Sequence, residues 1–153
     1  MRPCYILEME QKDRQISANF KLSEFEYVEP DPRLITLLQL AREELKAPII
    51  ITNGPRSPID MLNLYHGRPP FDIPWGSRHL PCFHNPYLRA VDIQVQQPGG
   101  YKTGQELKEL MLKLRDTPYY MGKFHRVFLG LGAAKTFLHI DIDRKEDTFW
   151  GYD

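Results

Sequence analysis

Two short stretches of the chain set ionisable side chains at a spacing that chemistry could use. In Ala90-Val-Asp-Ile-Gln-Val-Gln96 the two-residue period of a strand puts Val91, Ile93 and Val95 on one face and Asp92, Gln94 and Gln96 on the other. In Phe137-Leu-His-Ile-Asp-Ile-Asp143 the same period separates Leu138, Ile140 and Ile142 from His139, Asp141 and Asp143. A half-exposed sheet face also alternates in this way, but here the polar residues are Asp and His instead of Lys, Thr or Ser. His79 stands just before the first of these strands. His79, Asp92 and His139 together offer three nitrogen or oxygen donors, the number a catalytic zinc takes from protein while a fourth position stays open for water. Neutral imidazole and carboxylate are both deprotonated at pH 7 and suit Zn(II). Spacing alone does not bring the three together, and isolated histidines also serve as ordinary surface or core hydrogen-bonding groups.

The surrounding pattern says what must position them. Asp31-Pro32 reads as a helix N-cap and first helical residue, with Leu34, Leu37, Leu38, Ala41 and Leu45 forming an apolar stripe that ends near Lys46. Pro48-Ile-Ile-Ile-Thr52 reads as a buried strand entering a tight turn at Asn53-Gly54. Ser57-Pro58 caps a short helix to about Tyr65, and the stretch from Gly67 to Pro86 contains five prolines, so a long stiffened loop is expected beside the site. Thr103-Gly-Gln-Glu106 is a capping box opening a helix whose apolar face is Leu107, Leu110, Met111 and Leu114, and which ends near Thr117-Pro118. Lys102 to Arg115 otherwise reads as a solvated helix face. Arg126–Leu131 and Thr136–Asp143 read as neighbouring antiparallel strands, with Gly99-Gly100 and Gly130-x-Gly132 as turns. Trp75, Phe83, Trp150 and Tyr152 read as packing residues, and the loop position of Trp75 leaves a wall-contact role open to it. The expected class is α+β: a small, mostly antiparallel sheet with flanking helices, formed by a single domain over residues 1–153 with an N-terminal docking arm over about 1–30.

Composition narrows the function classes. The 153 residues carry 20 Lys+Arg and 20 Asp+Glu, a formal charge of zero, so the basic footprint of a nucleic-acid binder is missing. No apolar run approaches the roughly 18–20 residues that span a bilayer. Met1–Lys12 includes Glu8, Glu10 and Lys12 where a secretory leader needs an unbroken apolar stretch, so no signal peptide is expected. Cys4 and Cys82 are too few for a disulfide scaffold and read as thiols.

Ser77-Arg-His79, Ala90-Val-Asp92 and Phe137-Leu-His139-Ile-Asp141 resemble the zinc D-alanyl-D-alanine carboxypeptidases of peptidase family M15. The hallmark of that family is S-x-H-x-x-G-x-A-x-D followed far downstream by a strand bearing the last His. Ile50-Ile-Thr-Asn-Gly-Pro-Arg56-Ser-Pro58 is similar to its strand-to-turn stretch ending in G-Y-R-S, and Asn19-Phe-Lys-Leu-Ser-Glu-Phe25 resembles its N-terminal docking segment. The likeness covers roughly residues 19–150. It implies the hedgehog/DD-peptidase fold and Zn2+ held by His79, Asp92 and His139. It also implies that Arg56 holds a substrate carbonyl or carboxylate and that Ser77 supports the substrate site by hydrogen bonding. The implied activity is zinc-dependent hydrolysis of D-amino-acid-containing peptides of bacterial peptidoglycan, of carboxypeptidase or endolysin type.

The chain departs from the family pattern twice. His79 and Asp92 are thirteen apart where the family has seven, and the motif Gly is lost; His84, eight residues before Asp92, is a rival ligand, and Cys82 with His84 could form a different metal site. The family's acid three residues before the last His is Thr136 here. Asp141 shares a strand face with His139, which leaves two roles open for it: general base, or orientation of a ligand imidazole. A different class of function fits the same departures, a non-catalytic wall-binding or phage-tail module whose partners would be phage tail or virion proteins. Absence of a leader fits a cytoplasmic enzyme as well as a phage-encoded protein that is released or carried in virions.

Overall fold

The computed structural model describes residues 13–72, 77–80 and 86–152. The N-terminal arm forms a small two-stranded sheet, β1 (Gln15–Ser17) and β2 (Phe20–Lys21), followed by a 3-10 turn over Leu22–Phe25. Its apolar residues Phe20, Leu22 and Phe25 are buried and anchor it on the domain. Helix α1 (Pro32–Leu45) starts where Asp31 accepts from the Arg33 N–H, and it stops at Lys46, which takes a left-handed conformation. β3 (Ile50–Asn53) and α2 (Pro58–Leu64) follow, the latter held by a reciprocal Ser57–Asp60 capping box. Then come β4 (Ala90–Gln94), the hairpin β5 (Gln96–Gln97) and β6 (Gly100–Tyr101), and α3 (Gly104–Arg115), capped by Thr103 with Glu106. The chain continues through α4 (Pro118–Phe124), β7 (Gly130–Ala133), β8 (Leu138–Asp141) and β9 (Thr148–Gly151).

The main sheet has the order β3-β4-β8-β7-β9, antiparallel except where β9 runs parallel to β7. Together with the flanking helices this is an α+β architecture with a mixed five-stranded sheet. One sheet face carries Val91, Ile93, Leu131, Leu138 and Ile140 into a core completed by Leu34, Leu37 and Leu38 of α1 and Leu107 and Met111 of α3. Among the described residues no helix is long and apolar enough to cross a membrane.

Four local expectations need correction. Among the described residues β3 pairs only with β4 and lies at the sheet edge, so Ile50 is 40% exposed where a buried strand was anticipated. Gly130 and Gly132 are not turn residues but the interior of β7. Thr117-Pro118 ends one helix and also caps the next, because Thr117 accepts from the Tyr120 N–H. The α3 face from Lys102 to Arg115 is not uniformly solvated: the Arg115 side chain is buried, its Nη1 and Nη2 reaching the Asp147 carboxylate at 2.7 and 2.8 Å, its Nε reaching Asp116. The assignments to Cys4, Trp75, Cys82, Phe83 and His84 lie outside the described residues.

Candidate metal centre

The sheet register builds most of the site. Asp92 of β4 lies directly opposite His139 of β8, His139 opposite Gly132 of β7, and Gly132 opposite Trp150 of β9. A shift of register between Ile51 and Asn53 brings Asn53 of β3 into the same row, the kind of bulge that re-aims a side chain. One row across five strands therefore reads Asn53, Asp92, His139, Gly132, Trp150, all on the face opposite the core. The neighbouring row on that face contains Ala90, Asp141, Gly130 and Thr148. This face is covered: all four residues of β8 are buried, including His139 and Asp141.

His79 comes from the loop. Its backbone carbonyl accepts from the Arg56 N–H at 2.6 Å, and its own N–H meets Ser77 Oγ at 3.3 Å, which fixes the turn that points its ring inward. The ring is buried, and Nδ1 donates to the Gly54 carbonyl at 2.6 Å. Because a carbonyl can only accept, Nδ1 carries the proton and Nε2 presents its lone pair to the site. Nε2 lies 3.4 Å from His139 Nδ1 and 3.9 Å from Asp92 Oδ1, and His139 Nδ1 lies 2.9 Å from Asp92 Oδ1. These three donor atoms all fall within 4.8 Å of one another.

Each donor is braced from behind. Asn53 Nδ2 donates to Asp92 Oδ2 at 3.2 Å. His139 Nε2 donates to Asp141 Oδ2 at 2.8 Å, and Asp141 in turn receives Nε and Nη2 of Arg144. Carboxylate or carbonyl partners of this kind set the tautomer and ring orientation of metal-binding histidines. The electrostatics agree. Burial, helped by the charges of Arg56 and His139, pushes His79 down to about 4, so it is a neutral lone-pair donor at pH 7. Burial works against charge on His139, yet hydrogen bonds to Asp141 and Asp92 outweigh it and raise its pKa. Burial likewise opposes ionisation of Asp141, but Arg144 and His139 hold it down at about 2. Asp92 is lowered despite its own burial, chiefly by its hydrogen bond with His139. The Nδ1 position of His139 thus attracts positive charge, which a proton or a divalent cation can supply, one in exchange for the other. Two imidazoles and one carboxylate form a donor set that could hold such an ion.

Comparison with protein-family profiles, with curated proteins and with solved structures finds no match to this chain.

The site residues anticipated from sequence stand as follows. His79, Asp92 and His139 converge. Arg56, Ser77 and Asp141 line the same cavity of about 510 Å³. Thr136 is exposed in the turn before β8. Sequence reasoning missed Asn53, Arg78, Arg144 and Trp150. Asn53 had been absorbed into a turn, whereas Thr148-Phe149-Trp150 is a β-branched and aromatic run that could have been read as a strand. Trp150 is a wall of the site: its ring centroid is 5.3 Å from that of His139, and the Arg144 guanidinium lies over its ring at 5.3 Å. It reaches His139 only because Gly132 stands between them without a side chain. A Cβ on Gly132 would lie 2.6 Å from Trp150 Cε2 and 2.7 Å from Tyr152 Cε2. Gly132→Ala is therefore expected to cost about 1–3 kcal/mol by overpacking and to displace Trp150, read as a lower Tm and altered near-UV circular dichroism.

Proposed function

We propose that this protein is a zinc-dependent peptidase acting on D-amino-acid-containing peptides of bacterial peptidoglycan, with the hedgehog/DD-peptidase fold. The observation that carries the reading is the convergence of His79 Nε2, Asp92 Oδ1 and His139 Nδ1 with their tautomers set for metal binding. Two nitrogens and one oxygen suit zinc, and the open cavity beside them suits a site that takes substrate. The sequence likeness to the D-alanyl-D-alanine carboxypeptidases supports the substrate class. When bound, zinc supplies a water nucleophile at neutral pH and polarises a scissile carbonyl.

The protein's own residues prepare that chemistry. His79, Asp92 and His139 hold the ion, Asn53, Gly54 and Asp141 orient them, and Arg56 stands at the cavity to hold a substrate carbonyl or carboxylate. We assign Asp141 to orientation instead of proton transfer, since His139 and Arg144 already occupy its carboxylate. Asp141→Asn is then expected to weaken zinc binding about 10–100-fold, with turnover restored by excess zinc. A general base would show the opposite, full zinc content and no turnover at any zinc concentration.

A muropeptide digest read by mass spectrometry tests the function directly: new amine release that a chelator stops is expected, and the mass of the product identifies the bond cut. A second reading, a wall-binding or phage-tail module with an idle site, is favoured by the exposed Thr136 at the family's acid position. It predicts peptidoglycan binding with no amine released.

A further inference from the structure

The main sheet is open at β9. That strand ends the order β3-β4-β8-β7-β9 and pairs, among the described residues, with β7 alone. Thr148 and Tyr152 donate their N–H groups to the Leu129 and Ala133 carbonyls on the β7 side at 2.9 and 3.0 Å. Successive residues of a strand direct their backbone groups to opposite edges, so Phe149 and Gly151, both exposed, turn their N–H and C=O groups away from β7. An edge of this kind is a template for one more strand.

Beside it lies a groove of about 760 Å³ that shares only the walls Trp150 and Tyr152 with the metal cavity. Phe149, Lys108 and Lys135 also line it, with Lys108 Nζ 4.6 Å from the centroid of the Phe149 ring. Two cations and no carboxylate line the groove among the described residues. The strand period gives its two sides different chemistry. Phe149, opposite the core residue Leu131, lies on the α3 side with Lys108, whereas Trp150 and Tyr152 lie on the other side. A strand added at β9 therefore sets alternate residues beside a cation and beside two aromatic rings. The lysines also select its charge: a second β9 brings the same lysines and is repelled, whereas an acidic segment is attracted.

We propose that the β9 edge takes up an extended peptide segment of a partner protein in which acidic and apolar residues alternate. The segment adds one strand to the main sheet, with its acidic side chains toward Lys108 and its apolar ones on Trp150 and Tyr152.

Calorimetric titration and amide hydrogen exchange of the full chain at physiological ionic strength test this with two probes, acetyl-Glu-Val-Glu-Val-Glu-Val-amide and acetyl-Lys-Val-Lys-Val-Lys-Val-amide. The acidic probe is expected to bind about tenfold or more tightly than the basic one and to slow exchange of the Phe149 and Gly151 amides. Replacing both lysines, Lys108→Gln with Lys135→Gln, is expected to erase the difference between the probes. Gly151→Pro removes an outward donor where an added Cβ meets only the Ala133 carbonyl at 3.7 Å, and is expected to weaken the acidic probe about tenfold. Gly151→Ala keeps that donor and is expected to bind within about twofold of the wild type. Should Gly151→Pro not melt cooperatively, exchange protection of the two wild-type amides decides alone. The proposal is overturned by no binding of the acidic probe, by equal affinity for both probes, or by binding that leaves both amides exchanging at their free rate. Self-association through β9 in sedimentation without peptide overturns it as well. None of these readouts needs zinc or turnover, so the peptidase reading stands or falls separately.

Discussion

Under the proposed function, replacing His139 with alanine is expected to abolish stoichiometric zinc binding and, with it, amine release from muropeptides. The ring contributes Nδ1 to the donor group and stands between Asp92 and Asp141, so its removal deletes a ligand and the link between two carboxylates. The loss should exceed the roughly 10–100-fold expected for removing an outer partner such as Asp141. The fold should persist, since Asp92 keeps Asn53 and Asp141 keeps Arg144. Metal analysis of untagged protein, paired with a cooperative thermal melt, checks both halves. Full zinc occupancy in His139→Ala would refute the ligand assignment.

The largest effect on stability is expected far from the site, at Asp147. Its Oδ1 and Oδ2 hold Arg115, and Oδ1 also accepts from the Leu129 N–H at 2.9 Å, tying the end of α3 to the chain entering β7. Arg115 is almost fully buried, so Asp147→Ala leaves a desolvated cation with only Asp116 and the Val127 carbonyl. Breaking one side of a buried ion pair costs about 3 kcal/mol, a fall in Tm of about 6–12 °C for a chain of this size. The sign with pH is fixed by the same contact. Hydrogen bonds from Arg115 hold the Asp147 carboxyl below its ordinary value. The contribution is therefore present above the unfolded carboxylate value of about 3.9 and is lost as pH falls through the lowered folded value. Wild-type and variant Tm values should differ most above about pH 5 and converge in acid.

Residues with strong local signals were legible in the sequence. Asp31-Pro32 and Thr103 with Glu106 marked helix starts because capping is a contact within a few residues. The alternation in β4 and β8 separated core from site because strand period is equally local. Position in the sheet is not local. Nothing in Ile50–Asn53 distinguishes an edge strand from a central one, and β9 is defined by pairing with β7, which lies 18 residues earlier at Gly130↔Thr148. The glycines of β7 carry no side chain to advertise a role. Their purpose appears only once Arg144 and Trp150 are seen lying across them, which also explains why both of those residues were missed. His79, Asp92 and His139 were legible as types, but their meeting depends on the Arg56–His79 backbone bond, a contact between two loops.

Two of the three donor residues of the site are brought together by a single strand pairing, Asp92 against His139. Because side chains alternate with a period of two, a slip of one residue between β4 and β8 would send one of the pair into the core and leave a compact chain unable to capture an ion. Under the proposed function, metal uptake on refolding is thus a reporter of pairing fidelity: the fraction of molecules that regain zinc counts those whose central strands have aligned correctly, independently of how much secondary structure has returned.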